Sequence, residues 1–392
     1  MASGAGKPDP QDYLALDAEL EETERDVRDA VRGYARQELL PQVADWFERG
    51  TLPREIVKGL GELGVFGMHL KGYGCAGTSA VAYGVACREL EAIDSGLRSL
   101  ISVQGSLAMF AIHHWGSETH RTDWLPRMAT GEALGCFGLT EPDSGSDPSS
   151  MRTRARRDGD DWVLDGTKMW ITNGTLAEVA VVWAQTDEGI RGFVVPTDTP
   201  GFTAREVPHK LSLRASITAE LVLEGVRLPA DAVFPEVRGL RGPLSCLNEA
   251  RFGIIWGVVG AARSCYESAL EYSTTREQFG RPIGGFQLTQ RKLADMVVEV
   301  NRSGLLALHL GRLKDCGELH PSHVSLGKLA NVRSALEVAR SARTVLGANG
   351  ITLEYPVMRH AANLETVLTY EGTEEVHALT VGGAVTGLNA FR

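Results

Sequence analysis

The stretch between residues 134 and 237 sets the limits on what this chain can fold into. Its apolar residues fall in short β-rich runs, "WVLDGTKMWITNG", "VAVVWAQT", "IRGFVVPT" and "ASITAELVLEGVRL", separated by clusters of Asp, Gly, Asn and Pro. On both sides the apolar period is helical. From about 14 to 133 it runs through "VRDAVRGYARQELLPQVADWF" and "AVAYGVACRELEAI", with breaks at Pro41, Pro53 and the Gly-rich stretch 72–77. After about 241 it returns in "QLTQRKLADMVVEVNRSGLLALHLGRLKDC" and "HVSLGKLANVRSALEVARSARTVLG". A block of strands between two blocks of helices leaves no strand–helix alternation from which to build a parallel sheet. The expected fold is therefore mainly α with a central β domain. It comprises an N-terminal helical domain over 1–133, a middle β domain over 134–240 and a C-terminal helical domain over 241–392.

A chain of 392 residues with 43% hydrophobic content can bury a sizeable core. Its net charge of -10 and the lack of a dense Lys/Arg tract argue against binding to nucleic acid. No apolar run approaches the ~20 residues of a membrane span. The N-terminus is too acidic for a signal or transit peptide, so a cytoplasmic location is expected, without membrane insertion. The six cysteines form no CxxC pair and no zinc-like spacing with the ten histidines. No metal site is expected, and the thiols read as buried or partly buried in a reducing compartment.

Three local patterns bear on chemistry. "GYGCAG", Gly72 to Gly77, fits G-x-G-x-x-G, with Glu91 and Asp94 at roughly the offset of a dinucleotide fingerprint. The preceding "GELGVFGMHLK" is not a convincing strand, and the motif reads as a plain interdomain loop. After it, Thr78 or Ser79 can cap a helix through "AVAYGVACRELEAIDSGLRSLISVQGS". There Glu91, Ser95, Arg98 and Ser102 are spaced four, three and four apart, on one helical stripe. An Arg between hydroxyls and an acid can hold a carboxylate in fork geometry, although the same stripe could be a solvated face. In the β domain, "CFGLTEPDSGSDPSSMRT" offers backbone N–H groups and hydroxyls to a polar ligand. "MWITNG" sets a Trp among hydroxyl and amide side chains, suited to one side of a flat ring; both are also ordinary turn and strand chemistry.

"TYEGTEEVHAL", residues 369–379, packs three acids into five residues. Thr373 can cap the helix that follows, and Glu374 and Glu375 suit its first turn. Glu371 lies outside that turn, and helix capping gives it no purpose.

Taken together, "CFGLTEPDSGSDPSS", "KMWITNG", "STTREQFGRPIGGFQLTQRKLADM" and "TYEGTEEVHAL" resemble the acyl-CoA dehydrogenase family, over about residue 14 to Phe391. "RELEAIDSGLRSLISVQGSL" is similar to the family's glutaryl branch. The resemblance implies a C-terminal four-helix bundle, a homotetramer, and one FAD per subunit between the β and C-terminal domains. Cofactor contacts would come from Phe137, Leu139, Thr140, Gly145, Ser146, Trp170, Ile171, Thr172, Thr373 and Phe391. Gln278 and Phe279 would add to them, and Arg276 and Gln287, with the 344–348 stretch that holds Leu346 and Gly347, would reach the FAD across a subunit interface. Substrate contacts would come from Glu91, Arg98, Ser99, Ser102, Ser146, Leu244, Asn248, Arg251, Tyr370 and Gly372. Two positions depart from the family pattern: Ala348 follows Gly347 where a Gly-Gly pair is usual, and Leu97 stands where the glutaryl branch commonly has an aromatic.

Glu371 matches the family's catalytic base, which removes the α-proton of an acyl thioester while a hydride leaves Cβ for flavin N5. A single Glu in a water-poor site suits this, because burial raises its pKa towards the working pH. The resemblance implies oxidative decarboxylation of glutaryl-CoA to crotonyl-CoA and CO2, in lysine and tryptophan breakdown, with electrons passed to an electron-transfer flavoprotein. A non-decarboxylating glutaryl-CoA dehydrogenase and an acyl-CoA oxidase are the alternatives on the same fold. A non-catalytic flavin-fold scaffold would be favoured by a neutral residue at 371, and Glu371 argues against it.

Overall fold

The computed structural model describes residues 7–391. The first third is helical. Helices α1 (Glu22–Tyr34), α2 (Val43–Arg49) and α3 (Glu55–Glu62) lead to a small hairpin of β1 (Lys71–Gly72) and β2 (Cys75–Ala76). Then come α4 (Ala80–Glu91), α5 (Ser95–Ser102), α6 (Phe110–Trp115) and α7 (Glu118–Ala129). The hairpin is the G-x-G-x-x-G motif. Lys71 pairs with Ala76 across it, and its glycines serve a chain reversal rather than a phosphate turn. Tyr73 Oη donates to Glu118 at 2.9 Å and His113 meets the Lys71 carbonyl at 2.9 Å. The motif is thus folded onto α6 and α7 of its own helical region, which corrects its reading as an interdomain loop.

The helix capped by Ser79, whose Oγ accepts from Ala82 N–H at 3.1 Å, is two helices rather than one. Asp94, extended at φ -163°, restarts the chain as the N-cap of α5, its carboxylate accepting from Gly96 N–H at 2.8 Å. Every residue of α4 and α5 is buried. These are central helices, and the stripe from Glu91 to Ser102 is no solvated face.

Seven strands form the middle sheet: β3 (Gly135–Gly138), β4 (Arg154–Asp158), β5 (Asp161–Thr172), β6 (Val179–Thr186), β7 (Gly189–Pro196), β8 (Phe202–Glu206) and β9 (Thr218–Leu228). They lie in the order β3-β6-β4-β5-β9-β8, with β7 also paired to β6. Pairing is antiparallel except where β6 meets β3 and β4. The β5–β9 ladder shifts register between Lys168 and Ile171, and Trp170 sits at that irregularity with φ +64°. Such a bulge re-aims a side chain out of the sheet's alternation.

The last third opens on α8 (Arg241–Thr275), turns through a hairpin of β10 (Glu277–Gln278) and β11 (Arg281–Pro282), and continues as α9 (Gln287–Asp315) and α10 (Pro321–Leu346). It ends with α11 (Val357–Thr369) and α12 (Glu374–Thr386). Helix α10 packs against α8, α9, α11 and α12, and α4 lies across α8 and α9. Small residues on α8 permit the α4 crossing. A Cβ on Gly257 would come 2.0 Å from Glu91 Oε2, and one on Gly260 would come 1.9 Å from the Arg88 carbonyl. The helical core of the first third continues onto α8, and the sheet and the C-terminal bundle each keep a core of their own. Of the cysteines, Cys87, Cys136, Cys246 and Cys265 are buried and Cys75 is half-buried, while Cys316 is exposed, against expectation, just past the end of α9.

Candidate active site

Four residues, Tyr370 to Thr373, join α11 to α12. Thr373 Oγ1 caps α12 by accepting from Val376 N–H at 3.3 Å, and Glu374 pairs with Arg333 at the helix start. Glu371 has no such task. Its φ is +53°, in the left-handed region that non-glycine residues seldom occupy. Its Oε2 is buried without a hydrogen-bond partner. Burial pushes this carboxyl above the usual range, while Arg98, Lys328 and Arg251 pull it back.

The backbone around Glu371 is tied down peptide by peptide. Lys328 Nζ donates to the carbonyls of Tyr370 and Gly372, the latter at 2.7 Å, and Arg251 Nε donates to the Glu371 carbonyl at 2.7 Å. Arg251 also donates to Asn248 Oδ1 at 3.3 Å. Gly372 has φ +94°, and a Cβ there would lie 2.9 Å from His377 Nε2 and 3.3 Å from Arg251 Nη2. Glycine is required on both counts.

Beside this loop stands Arg98, with no exposed surface. Its Nε donates to Glu91 Oε2 at 2.7 Å, and Ser95 Oγ donates to the other Glu91 oxygen at 2.7 Å. Its Nη2 reaches the Tyr370 hydroxyl, which also lies 3.4 Å from Ser99 Oγ. Burial pushes that phenol up to about 12, so it stays protonated. Arg98 Nη1 and Ser102 Oγ are buried without partners. Unsatisfied groups of this kind cost roughly 1–3 kcal/mol each, so a native site that keeps them calls for an explanation. A buried guanidinium with one nitrogen free, an unpartnered hydroxyl one turn along the same helix and a free carboxyl nearby can together receive an acid-bearing substrate and remove a proton from it.

Three profiles of one family match the chain in succession: acyl-CoA dehydrogenase N-terminal domain over residues 21–132, middle domain over 136–226 and C-terminal domain over 237–386. The chain belongs to the acyl-CoA dehydrogenase family. Among solved structures, it is 67% identical to a glutaryl-CoA dehydrogenase from Mycobacterium smegmatis, with TM-score 0.96, over 97% of this chain and 99% of that one. It is 61% identical to a glutaryl-CoA dehydrogenase from the same organism solved in complex with FADH2, with TM-score 0.97, over 98% and 100% of the two chains. Among curated proteins, the mitochondrial short-chain specific acyl-CoA dehydrogenase of Bos taurus is 35% identical over 93% of this chain and 90% of that protein. The protein is an enzyme of the acyl-CoA dehydrogenase class, and its cofactor is FAD.

The residues of the β domain fit a flavin. Trp170 is 57% exposed on its bulge, an indole face turned away from the core. Next to it, Met169 N–H donates to the Thr140 carbonyl at 2.8 Å, and Lys168 Nζ donates to the Leu139 carbonyl at 3.1 Å and to Glu141 at 2.8 Å. These bonds fix the strand end from which exposed Gly145 and Ser146 lead away, with Thr172 half-buried alongside. Phe137, Leu139 and Ile171 are buried in the protein cores, which leaves mainly their backbone for a ligand. Leu346 is likewise packed in the C-terminal core, while Gly347 and Phe391 are exposed.

Arg276, Gln278, Phe279 and Gln287 are exposed around the β10–β11 hairpin and are not brought to Glu371 in this chain. Arg276 is the C-cap of α8, whereas Arg251 lies in the helix's first third, roughly 37 Å away along the axis at 1.5 Å per residue. Leu244, 39% exposed in the first turn of α8, and exposed Ser146 stand outside the hydrogen-bonded cluster as well.

Sequence reasoning missed Lys328, His377 and the Asp94–Arg359–Asn363 group. A lysine inside the apolar period of "SLGKLANV" was the available signal for the first.

Proposed function

We propose that this enzyme oxidatively decarboxylates glutaryl-CoA to crotonyl-CoA and CO2. The observation that carries the proposal is Arg98: fully buried, paired with Glu91 through Nε, and left with a free Nη1, one helical turn from the unpartnered Ser102 hydroxyl. A short-chain acyl substrate with an apolar tail gives that nitrogen nothing to bind, whereas the distal carboxylate of a glutaryl chain accepts from the free Nη1 in a charge-assisted hydrogen bond. The neighbouring structures named as glutaryl-CoA dehydrogenases support the same reading.

In this proposal Glu371 is the α-proton base. Its carboxyl lies one residue from Tyr370, which touches Arg98, so a carboxylate held at Arg98 places the acyl chain within reach of Glu371. Bound FAD supplies the acceptor for the hydride that leaves Cβ. Gly372 lets the backbone come close to the thioester, where a peptide N–H can stabilise the enolate oxygen, a donor worth roughly 3–4 kcal/mol. In the decarboxylation step the C–CO2 bond breaks, its electron pair moves into the conjugated thioester, and CO2 leaves. Protonated Glu371 returns its proton to the terminal carbon, and Tyr370 steadies the departing carboxylate.

Electrons leave to an electron-transfer flavoprotein, and the working assembly is a homotetramer. In it Arg276, Gln278, Phe279 and Gln287 of one chain would complete a neighbour's FAD site. Support for the assembly comes from apolar side chains left in the open, Phe279 at 94% and Leu288 at 77% exposed.

The test is an acyl-CoA panel with product identification, run with an artificial electron acceptor with and without oxygen. Glutaryl-CoA should yield CO2 and crotonyl-CoA; turnover that stops at glutaconyl-CoA defeats the decarboxylation. Arg98→Met should impair glutaryl-CoA far more than butyryl-CoA, and equal losses on both would remove Arg98 as the anchor.

A further inference from the structure

Lys328 carries an ammonium group into the packed interior of the C-terminal helices. It lies on the inner face of α10, 1% exposed, where an apolar side chain would serve packing alone. Its Nζ joins the carbonyls on both sides of Glu371, those of Tyr370 and Gly372, while Arg251 from α8 holds the carbonyl between them. Three consecutive carbonyls are thus fixed by two cations from two helices. The loop has no ladder of its own to satisfy these groups. The residue at its centre holds φ +53°, a conformation that costs about 1–3 kcal/mol and persists only where the surroundings over-determine it.

We infer that Lys328 is a positioning residue for the base. By clamping the peptide units on both sides of Glu371 it holds the left-handed backbone that aims the carboxyl into the site, and its charge favours the carboxylate form. The inference rests on the reading of Glu371 as the α-proton base. The groups that face Lys328 are Glu371 and Tyr370 in the loop, Arg251 from α8, Arg98 from α5 and His377 from α12. The arginines stay cationic. His377, drawn down to about 3 by burial first and by Lys328 and Arg251 next, stays neutral, and Tyr370 stays protonated. Lys328 and Glu371 are therefore the pair that titrates together. Burial draws the ammonium down to about 7 while Glu371 holds it up. A neutral amine still has two N–H groups, so the clamp outlasts the charge.

The experiment compares the FAD-loaded enzyme with Lys328→Met, Lys328→Arg and Glu371→Gln, measuring anaerobic flavin reduction by glutaryl-CoA across pH. Lys328→Met should keep FAD and a near-normal KM. It should reduce its flavin about 100-fold more slowly, the scale expected for a displaced catalytic group, with the acid limb of the rate profile moved to higher pH. Lys328→Arg, which keeps the cation, should hold the acid limb near its original position at an intermediate rate. Wild-type rate and an unmoved limb in Lys328→Met overturn the inference and leave Glu371 as the base. So does a slower rate with the limb unmoved, which would make Lys328 a packing residue. Normal flavin reduction in Glu371→Gln instead removes the base, and the inference with it. Should Lys328→Met fail to fold, Lys328→Gln supplies the same two readouts.

Discussion

Glu91 and Arg98 have no exposed surface, so at the residue scale each depends on the other. Burial pushes the Glu91 carboxyl up, and Arg98 with Ser95 offsets that. Removing one member of a buried pair typically costs 3–5 kcal/mol because the remaining charge is stranded. Glu91→Gln should therefore destabilise the protein by about 3 kcal/mol, the low end, since the amide oxygen can still accept one bond. The measurement is the urea midpoint at constant m-value. A drop below about 1 kcal/mol would mean that Arg98 finds another partner. Gly372→Ala is a second residue-scale case. The alanine needs φ +94° and meets His377 at 2.9 Å, so we expect FAD to be retained and flavin reduction to fall by about 100-fold. Wild-type reduction by this variant would show that the loop tolerates a shifted Glu371 backbone.

At the scale of elements, α5 is positioned by one polar knot. Asp94 caps it, pairs with Arg359 of α11 at 3.0 Å and accepts from Asn363 at 2.9 Å. Asn363 in turn accepts from Leu213 N–H, in the connection between β8 and β9, at 2.7 Å. All three parts of the fold therefore meet at the start of the helix that carries Arg98. Asp94→Ala loses a cap worth about 0.5–2 kcal/mol and strands Arg359. We expect KM for glutaryl-CoA to rise several-fold while butyryl-CoA turnover changes less; equal effects on both would place the damage in global stability.

Much of this was legible from sequence. Ser79 and Thr373 are caps as their side-chain chemistry predicts, and the strand runs around Trp162, Val181, Phe193 and Leu221 are strands because their apolar residues are long, branched or aromatic. The break between α4 and α5 was not legible. Asp94 had no visible partner until Arg359 and Asn363, more than 260 positions later, folded against it. Strands β4 and β8, "RARRD" and "FTARE", were missed because their sequences carry charge on exposed positions, and Ala155 alone of β4 is buried. The helical stripe and the motif resemblance pointed to Arg98 and Glu371 as candidates, which the fold places beside one another, but local pattern could not point to Lys328, whose partners are the carbonyls of a loop from another part of the chain.

On the scale of the whole molecule, the exposed hairpin and three buried histidines each predict a bulk property. Phe279→Asp places a charge on an apolar side chain that is 94% exposed, remote from Glu371. On the tetramer reading it should yield smaller particles that lose FAD on dilution, detected by light scattering and absorbance; an unchanged assembly with FAD bound would detach the hairpin from the interface. Acid stability follows from His69, His360 and His377, which burial holds at about 4, 3 and 3. Each lies below its unfolded value of about 6.5. Above that pH both states are neutral at these sites and no stability difference arises. As pH falls below it the unfolded chain binds protons that the folded chain refuses, so the native state loses about 1.4 kcal/mol per pH unit for each histidine, until the folded values are reached. His360 isolates the effect, because its two ring nitrogens are buried without partners and it stands outside the Glu371 cluster. His360→Phe should keep most of its stability at neutral pH and flatten the decline between about pH 6 and 5 by one proton's worth. A decline with the same slope as the parent enzyme would assign the acid sensitivity to the carboxylates instead.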